Sequence, residues 1–227
     1  MRLVTWNCCR GPFADKIPLL DSLASDVAVV QECAKPSIES PNCLWFGDNP
    51  KQGIAVLASA PYRLKALPAL KNTPKYVIPL SVTGPREFTL LAVWTLGKQP
   101  YPYVEAAAIA VEMYSGLIAE SPTVLIGDLN SNAIWDATHP PKLNHSALVK
   151  QLATLGLDSA YHSSYNEPHG SETRPTFFHR WSKEHPYHID YCFIPQQWSP
   201  HIVRVEIGSY EDWKDYSDHR PLLVELS

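Results

Sequence analysis

Short runs of apolar residues recur along the whole chain and are separated by proline, glycine, asparagine or aspartate. Their length and their content of β-branched and aromatic side chains favour buried β-strands over buried helices. The predicted strands are Leu3 to Trp6, Val27 to Val30, Ile54 to Leu57, Tyr76 to Val82, Phe88 to Trp94, Val124 to Ile126, Ile189 to Ile194, Ile202 to Ile207 and Leu222 to Leu226.

Apolar residues recur at helical spacing in a few other segments. Pro102 is well placed to begin a helix, and apolar positions then follow the helical repeat as far as Ile118. A weaker pattern covers Leu143 to Leu155, and a further helix is predicted from about Asp15 to Ser25. So many strands and so few helices predict two packed sheets with helices outside them. No linker divides the chain, so a single domain over residues 1–227 is expected.

Composition places the chain among ordinary globular proteins. Of its 227 residues, 45% are hydrophobic and 19% are charged, a balance that argues against disorder. The formal net charge is −4, so no global positive field attracts nucleic acid. A substrate that carries phosphate must therefore be held by local cations or by a bound metal.

The sequence shows no sign of a membrane or secreted location. Nothing approaches about 18 consecutive apolar residues, so no membrane span is predicted. The first strand is predicted to begin at Leu3, which leaves no room for a signal peptide. The cysteines are odd in number and form no CxxC pair, which fits neither a disulfide framework nor a thiolate zinc site. A cytoplasmic protein is expected, and Cys8 and Cys9 are interpreted as small packing residues.

Polar residues interrupt the chain at the borders of several predicted strands. They are Asn7, Gln31-Glu32, Gly127-Asp128-Leu129-Asn130, Asp190 and Ser217-Asp218-His219. Polar residues that directly follow buried strands lie at the ends of those strands. Side chains from several strands can converge there on one ligand. We therefore expect these segments to form one active site.

The residue types in these segments suit the hydrolysis of a phosphoric ester. Carboxylates such as Glu32 favour a hard divalent cation, which prefers oxygen ligands. Asn7 and Asn130 are neutral, so they can hydrogen-bond metal-bound water or phosphate oxygens without repelling an anionic substrate. Asp190 and His219 can form a pair in which the carboxylate fixes the imidazole tautomer and favours the charged ring. The imidazolium can then stabilise negative charge in the transition state or deliver a proton.

The order Asn, Glu, Asp-x-Asn, Asp and Asp-His, each at a strand border, resembles the endonuclease/exonuclease/phosphatase (DNase I-like) superfamily. The resemblance runs from Leu3 to Leu226. It implies a four-layer α-β-β-α sandwich of two mainly antiparallel sheets with flanking helices. It also implies a phosphohydrolase that uses Mg²⁺ or Mn²⁺, with Glu32 as the first metal ligand and Asn7 and Asp218 as further candidates. Asn7 is a candidate for binding phosphate as well.

The resemblance also implies the catalytic roles. Asp128 orients or deprotonates the attacking water, Asn130 holds the phosphoryl group, and Asp190 and His219 form the catalytic dyad. Taken alone, Glu32 could be a solvated carboxylate and Asn130 a residue that caps a turn. The presence of the whole set favours the catalytic interpretation.

The sequence departs from the family pattern at the group that protonates the leaving group. Many relatives carry a histidine on the strand before the long helix, and Leu90 to Leu96 contains none. Tyr101 and Tyr103 follow, and either is a candidate because abasic endonucleases use a tyrosine nearby. The alternatives are aromatic packing over the start of the helix and a metal-bound water that serves as the acid.

The segment Arg174 to Trp181 mixes cations with aromatic residues just before the strand of Asp190. It fits either a surface that stacks bases and pairs phosphates, with Arg174 as a candidate phosphate ligand, or a loop and strand that cover the core. Trp135 is a candidate for lining the entrance of the site. His188 is expected to pack or to form a hydrogen bond beside the site. The remaining histidines are expected on the surface or in loops, among them His139, His145, His162, His169 and His201.

The leading hypothesis is a divalent-metal-dependent phosphodiesterase that cleaves DNA or RNA by in-line attack of water. The alternative is a phosphatase or phosphodiesterase for a small phosphoester such as a nucleotide, an inositol phosphate or a phospholipid headgroup. A remote alternative is a catalytically silent binder of nucleic acid or protein, which would not need the whole catalytic set. A monomer is expected, and fold alone does not identify the substrate.

Overall fold

The computed structural model describes residues 1–37, 40–98 and 100–227. The strands are β1 Arg2–Asn7, β2 Val27–Cys33, β3 Cys43–Asn49, β4 Gln52–Ala58, β5 Arg63–Ala66, β6 Val77–Thr83, β7 Phe88–Trp94, β8 Thr123–Asp128, β9 Leu157–Ser159, β10 Phe177–Phe178, β11 Pro186–Tyr187, β12 Asp190–Pro195, β13 Ile202–Ile207 and β14 Leu222–Leu226. The α-helices are α1 Ile17–Ser22, α2 Val104–Met113, α3 Ser115–Glu120, α4 His145–Thr154, α5 Ala160–Tyr165 and α6 Tyr210–Trp213. Short 3₁₀ helices cover Phe13–Asp15, Ala133–Thr138, His179–Trp181 and Gln196–His201.

Two mixed sheets of six strands each lie at the centre of the fold. The strand order is β13-β14-β1-β2-β4-β3 in the first sheet and β5-β6-β7-β8-β12-β9 in the second. Each sheet contains a parallel pair, β1 with β2 and β7 with β8, and its other neighbouring strands are antiparallel. With helices flanking the sheets, this confirms the predicted sandwich of two mainly antiparallel sheets.

The central strands are buried on both faces. In β7, Leu90 and Ala92 join the core between the two sheets, whereas Leu91 and Val93 pack with residues of α2 and α4 on the outer side. On the outer side of the first sheet, Trp6 packs with a residue of α1. Because both faces of a strand meet apolar partners, the sequence of the strand is a continuous apolar run instead of an alternating one.

Each strand predicted from an apolar run is present, but several edge strands were not predicted. β3, β5 and β9 form edges of the sheets, and β10 pairs with β11 in a separate hairpin. All but one of the side chains of β5 are exposed. An edge strand with a face in solvent carries mixed polar and apolar residues, so it lacks the run that identifies a buried strand.

The predicted helices are present with different lengths. The helix predicted from Pro102 to Ile118 is divided into α2 and α3, since Tyr114 between them has φ −91° and ψ 9°. The helix predicted from Asp15 to Ser25 is shorter, and α1 follows a 3₁₀ turn. α4 agrees with prediction, and the Asn144 side chain caps it by accepting a hydrogen bond from the Ala147 amide at 2.9 Å. Across the described ranges, no helix is long and apolar enough to cross a membrane.

Candidate active site

The polar residues predicted to form one site meet where central strands of both sheets end. Asn7 is the last residue of β1, and Asp128 is the last residue of β8. β2 runs parallel to β1 and places Gln31 next to Asn7, so Glu32 follows at the same end. β12 runs antiparallel to β8 and places its first residue, Asp190, opposite Asp128. The strand pairing therefore brings together groups that are distant in sequence.

The side chain of Asn7 connects the two sheets. Its Nδ2 donates hydrogen bonds to Asp128 Oδ2 at 3.0 Å and to Glu32 Oε1 at 3.3 Å. Its Oδ1 accepts a hydrogen bond from the backbone amide of Cys9 at 3.0 Å, and its backbone carbonyl accepts one from the Ser217 hydroxyl at 2.7 Å. Asn7 is 1% exposed, so these bonds fix a buried side chain with its nitrogen toward the carboxylates.

Glu32 lies at an irregularity in β2. Its φ is +57°, and the pairing of β2 with β4 shifts register between Gln31 and Cys33. A non-glycine residue in this region is uncommon and marks a locally constrained backbone. The Glu32 carboxylate accepts a hydrogen bond from Gln52 Nε2 at 3.1 Å and pairs with Arg10 Nε at 3.3 Å. Its side chain is 22% exposed, so the carboxylate lies at the accessible rim of the site.

Asp128 is held in a tight turn. The Asn130 amide donates to Asp128 Oδ1 at 2.8 Å, and Asn130 Nδ2 donates to Asp128 Oδ2 and to the carbonyl of Thr95, both at 3.0 Å. The residue before the turn, Gly127, must be a glycine, because a Cβ there would lie 1.9 Å from the carbonyl oxygen of Val93. Burial and the nearby carboxylate of Asp190 raise the pKa of Asp128 to about 7.

Asp190 and His219 form the predicted pair. Asp190 Oδ2 lies 2.9 Å from His219 Nδ1, and both residues are buried. Burial opposes the charged ring, but the Asp190 carboxylate outweighs it and raises the pKa of His219 to about 9. The ring is therefore an imidazolium at neutral pH. The Thr176 hydroxyl accepts hydrogen bonds from the backbone amides of Ile189 and Asp190 and fixes the start of β12.

The Cys9 thiol lies beside Asp218. Burial and the Asp218 carboxylate, with a smaller effect of Glu32, raise the pKa of Cys9 to about 12. Burial raises the pKa of Cys8 to about 12 as well. Both thiols are therefore protonated at neutral pH, which agrees with their interpretation as packing residues.

The donor set of this site fits a divalent cation. Carboxylate oxygens of Asp128 and Asp190 lie within 4.8 Å of each other and of a His219 ring nitrogen, and the charged ring is a neighbour of the cation position instead of a ligand. Asp190 Oδ1 is buried and has no hydrogen-bond partner among the described residues, so an electropositive group could satisfy it. Of the predicted ligands, Glu32 presents its carboxylate at the accessible rim, Asn7 turns its nitrogen toward the carboxylates, and Asp218 lies beside Cys9.

Comparison with known proteins agrees with this geometry. The model of the Endonuclease/Exonuclease/phosphatase family matches residues 4–219. The chain belongs to the endonuclease/exonuclease/phosphatase family. As a member of this family it is a phosphoric ester hydrolase. None of the curated proteins matches its sequence.

Solved structures of the same fold cover the chain almost completely. An AP endonuclease from Archaeoglobus fulgidus has a TM-score of 0.72 at 16% identity, covering 100% of this chain and 99% of its own. The endonuclease domain of TRAS1, a telomere-specific non-LTR retrotransposon, has a TM-score of 0.70 at 16% identity, with 99% and 97% covered. The 3′ phosphatase NExo from Neisseria, bound to product DNA hairpin, has a TM-score of 0.67 at 17% identity, with 100% and 99% covered. At these identities the likeness establishes the fold.

Three predicted site residues of this family member have no contact with the catalytic cluster among the described interactions. Tyr101 and Tyr103 are 37% and 43% exposed, and Tyr103 precedes α2 with φ +51°. Tyr101 lines a cavity of ≈ 390 Å³ that also includes Leu96. The Arg174 guanidinium lies 3.9 Å from the centre of the Tyr165 ring and 3.6 Å from the Glu167 carboxylate. Binding of phosphate by Arg174 would compete with these contacts, and its role stays a prediction.

An aromatic row extends from His219. The Phe177 ring lies 4.6 Å from the His219 ring and 6.3 Å from the Tyr187 ring, which lies 5.0 Å from Trp135. These three aromatic side chains are half-buried. Phe177 and Trp135 belong to segments that the sequence singled out, whereas Tyr187 was missed because its strand, β11, was not predicted. We call Phe177, Tyr187 and Trp135 the aromatic row.

Arg220 is a second residue that sequence reasoning missed. It is fully buried, and its guanidinium lies between the rings of Phe178 and Tyr210, at 4.7 and 4.8 Å from their centres. Its Nη1 donates hydrogen bonds to the carbonyls of Ser217 and His219 at 2.7 and 2.9 Å. Arg220 thus fixes the backbone that carries His219, and its position directly after Asp218-His219 was the available signal.

The expectation that His145, His162 and His169 are surface or loop residues is wrong for His145 and His162, whereas His169 lies in a loop as expected. His145 lies in α4 and is 1% exposed, His162 lies in α5, and His169 is half-buried. His188 is also buried and contacts Tyr161 and His162. α5 was not predicted, because its polar sequence has no apolar helical repeat. The contacts of its residues Tyr161 and His162 with His188 were therefore not predicted either.

Proposed function

We propose that this protein is a divalent-metal-dependent phosphodiesterase that cleaves nucleic acid by in-line attack of water. The observation that carries the proposal is the buried pair of Asp190 and His219 beside Asp128, at the junction of two sheets. A positively charged imidazole next to a carboxylate that can accept a proton is suited to phosphoryl transfer.

Asp128 is proposed to orient the attacking water and to accept its proton. Its pKa of about 7 allows the carboxylate both to be ionised and to become protonated near neutral pH. The amides of Asn7 and Asn130 hold this carboxylate, and either can turn a hydrogen to a phosphate oxygen when substrate is present. Positioning of water and phosphorus in this way converts the attack into an intramolecular step.

His219 is proposed to stabilise the charge that develops on the phosphoryl oxygens. The Asp190 carboxylate holds its Nδ1 at 2.9 Å, which leaves Nε2 as the nitrogen that can face the substrate. A preorganised imidazolium in a site protected from water interacts strongly with negative charge. Arg220 supports this function by bonding the His219 carbonyl.

Mg²⁺, or Mn²⁺ in its place, is the proposed cation. Glu32, Asn7 and Asp218 are the residues proposed to hold it, and Asn7 links Glu32 to Asp128 by hydrogen bonds. The Asp190 oxygen without a partner lies beside Asp128 and would also face a cation there. When bound, the cation neutralises charge on the phosphate and lowers the pKa of coordinated water. Tyr101 or Tyr103 is the proposed donor to the leaving group.

Nucleic acid is the proposed substrate because the aromatic row begins at the catalytic ring. Half-exposed aromatic side chains stack on bases, each with about 1–3 kcal/mol. The named structural relatives include an AP endonuclease and a phosphatase bound to a DNA hairpin. A monomer of one domain spanning residues 1–227, located in the cytoplasm, remains part of the proposal.

Hydrolysis of a small panel tests the proposal. The panel contains supercoiled DNA, single-stranded DNA, an abasic-site duplex, RNA, bis-p-nitrophenyl phosphate and p-nitrophenyl phosphate, each with Mg²⁺, Mn²⁺ or EDTA. Asp128→Asn and His219→Ala should abolish cleavage, whereas the exposed controls Asp215→Asn and His201→Ala should retain it. Cleavage of small esters only would replace the nucleic-acid substrate with a small phosphoester. A folded protein that is inactive with every metal would support a binding protein instead.

A further inference from the structure

A second cluster of metal-ligating side chains lies where α5 meets the loop that follows it. His162 Nε2 is 3.1 Å from Glu172 Oε1, and the rings of His162 and His169 are stacked with their centres 3.5 Å apart. One ligand atom from each of the three side chains lies within 4.8 Å of the other two. These residues are not part of the catalytic set.

We propose that His162, His169 and Glu172 bind a divalent transition-metal ion of the zinc class. Imidazole nitrogen suits zinc and related borderline cations, and carboxylate completes the frequent set of two histidines and one glutamate. The catalytic cluster, with its several carboxylates, suits a harder cation. The two sites therefore differ in the metal that their ligands select.

The burial of Glu172 is an independent indication of a bound cation. Its side chain is 3% exposed, and its oxygens accept hydrogen bonds from Asn132 Nδ2 at 2.9 Å and from the Gly170 amide at 3.1 Å. Within residues 1–37, 40–98 and 100–227, no lysine or arginine pairs with this carboxylate. Its partners among the described residues are the His162 ring and neutral amides, and a metal ion between Glu172 and the histidines would supply a permanent positive charge.

The remaining ring nitrogens are already oriented. His162 Nδ1 lies 2.7 Å from the Ser159 hydroxyl, and His169 Nδ1 lies 3.1 Å from His145 Nε2. His145 Nδ1 in turn lies 3.1 Å from the Ser131 hydroxyl. Hydrogen bonds of this kind fix the rotation and tautomer of metal-binding histidines, and they leave the Nε2 atoms of His162 and His169 for the ion.

The cluster is reachable from solvent. A cavity of ≈ 210 Å³ is lined by both histidines, with Ser159, Asp158 and Phe193 among its other walls. It provides an entry path and room for water as a fourth ligand. Because the two rings are nearly parallel, at 16°, at least one of them would turn about its Nδ1 hydrogen bond so that both nitrogens point at one ion. Binding would fasten α5 to the segment that leads to Phe177.

Titration of the metal-free full-length protein with Zn²⁺ and Co²⁺ tests the site. Protein is stripped with EDTA and dialysed, and stoichiometry, affinity and the Co²⁺ visible spectrum are measured together with Tm. The expected result is one Zn²⁺ per chain in the wild type and in His219→Ala, with a rise in Tm. His169→Ala and Glu172→Gln should each lower the affinity at least about tenfold. The exposed control His185→Gln should bind as the wild type does.

Other outcomes overturn the proposal. Unchanged affinity in both His169→Ala and Glu172→Gln would show a hydrogen-bonded histidine network that binds no metal. Loss of zinc in His219→Ala alone would assign the ion to the catalytic cluster. A thiolate band in the Co²⁺ spectrum would assign it to cysteine. If Glu172→Gln does not fold, His169→Ala decides, since His169 lies in a loop and is only half-buried.

Discussion

The carboxylates of Asp128 and Asp190 lie on residues that pair directly across β8 and β12, and both residues are fully buried. Two ionised carboxylates in one buried site repel each other, and this repulsion contributes to the raised pKa of Asp128. His219 offsets part of the charge through Asp190. In the absence of substrate and cation, the net charge of the site is therefore negative. A negative net charge favours the binding of a divalent metal ion.

Asp190→Asn should move the alkaline limit of activity. The amide cannot hold the imidazolium, so the pKa of His219 should fall from about 9 toward its usual value, and the charged ring would be lost at lower pH. We expect the alkaline limb of kcat/KM to shift downward by about two pH units and the rate at pH 8 to fall about tenfold or more. Profiles of rate against pH, with Asp215→Asn as control, measure both effects. An unmoved alkaline limb would remove His219 from the mechanism.

Asp128→Asn should abolish activity while stabilising the metal-free fold. The pKa of Asp128 is raised from 3.8 to about 7 on folding, so its ionised form destabilises the native state above the lower value. The gain from Asn should be near zero at pH 4, grow up to pH 7 and then stay constant, with a size on the order of 1–3 kcal/mol. Denaturant unfolding in EDTA at several pH values measures it. Equal destabilisation at all pH values would contradict the repulsion argument.

Loss of the aromatic row should weaken the binding of polynucleotide and leave the chemistry intact. Trp135→Ala and Tyr187→Ala should each raise KM for single-stranded DNA by about 5- to 100-fold, since one stacked base is worth about 1–3 kcal/mol. The kinetics with bis-p-nitrophenyl phosphate, which has no base to stack, should hardly change. Tyr187→Phe keeps the ring, and Trp181→Ala removes an exposed tryptophan outside the row, so both are matched controls. Equal losses on both substrates would show a structural role only.

Tyr101→Phe and Tyr103→Phe identify the donor to the leaving group. A tyrosine that protonates a sugar oxygen should lower kcat about 10²-fold when it is replaced by Phe. The same variant should keep its rate on bis-p-nitrophenyl phosphate, whose leaving group needs no proton. A decrease below about threefold in both variants on DNA would eliminate the tyrosines.

Acid should destabilise the protein through its buried histidines. Burial lowers the pKa of His145 to about 4 from its ordinary 6.5. The unfolded chain then binds more protons between these values, so stability is complete above pH 6.5 and falls as the pH decreases toward 4. The loss is up to about 3 kcal/mol, because each pKa unit corresponds to about 1.4 kcal/mol. Urea midpoints in EDTA should show this slope in the wild type and in the exposed control His201→Gln, and a weaker slope in His145→Gln.

The sequence predicted the parts of the fold that are buried on both faces. β7 and β8 are uniformly buried, and their apolar runs are unambiguous. β5 was missed because most of its side chains are exposed, whereas β3 begins with the apolar run Cys43 to Phe46 and could have been predicted. The gathering of Asn7, Asp128, Asp190 and His219 was predictable for a related reason, since a polar residue that ends a buried strand has few structural explanations.

Contacts that depend on tertiary packing were not predictable. The rings of Phe177 and His219 are brought together by an isolated β-bridge between their backbones. No local sequence pattern predicts such a bridge. The cluster of His162, His169 and Glu172 depends on a short polar helix and on a loop. Arg220 is buried although it is an arginine, and its position depends on the rings of Phe178 and Tyr210 and on the carbonyls of Ser217 and His219.

The hydrogen bond from Asn7 to Asp128 has a consequence for the order in which the molecule becomes active. Each partner ends an internal strand, β1 in one sheet and β8 in the other, so neither sheet alone contains a site. A refolding chain can regain its circular dichroism as the sheets form, but turnover requires them to dock face to face. Fraying of an edge strand, in contrast, leaves both partners in place. Enzymatic activity in this fold thus reports the assembly of the sandwich, and amide exchange at Asn7 and Asp128 is governed by global opening.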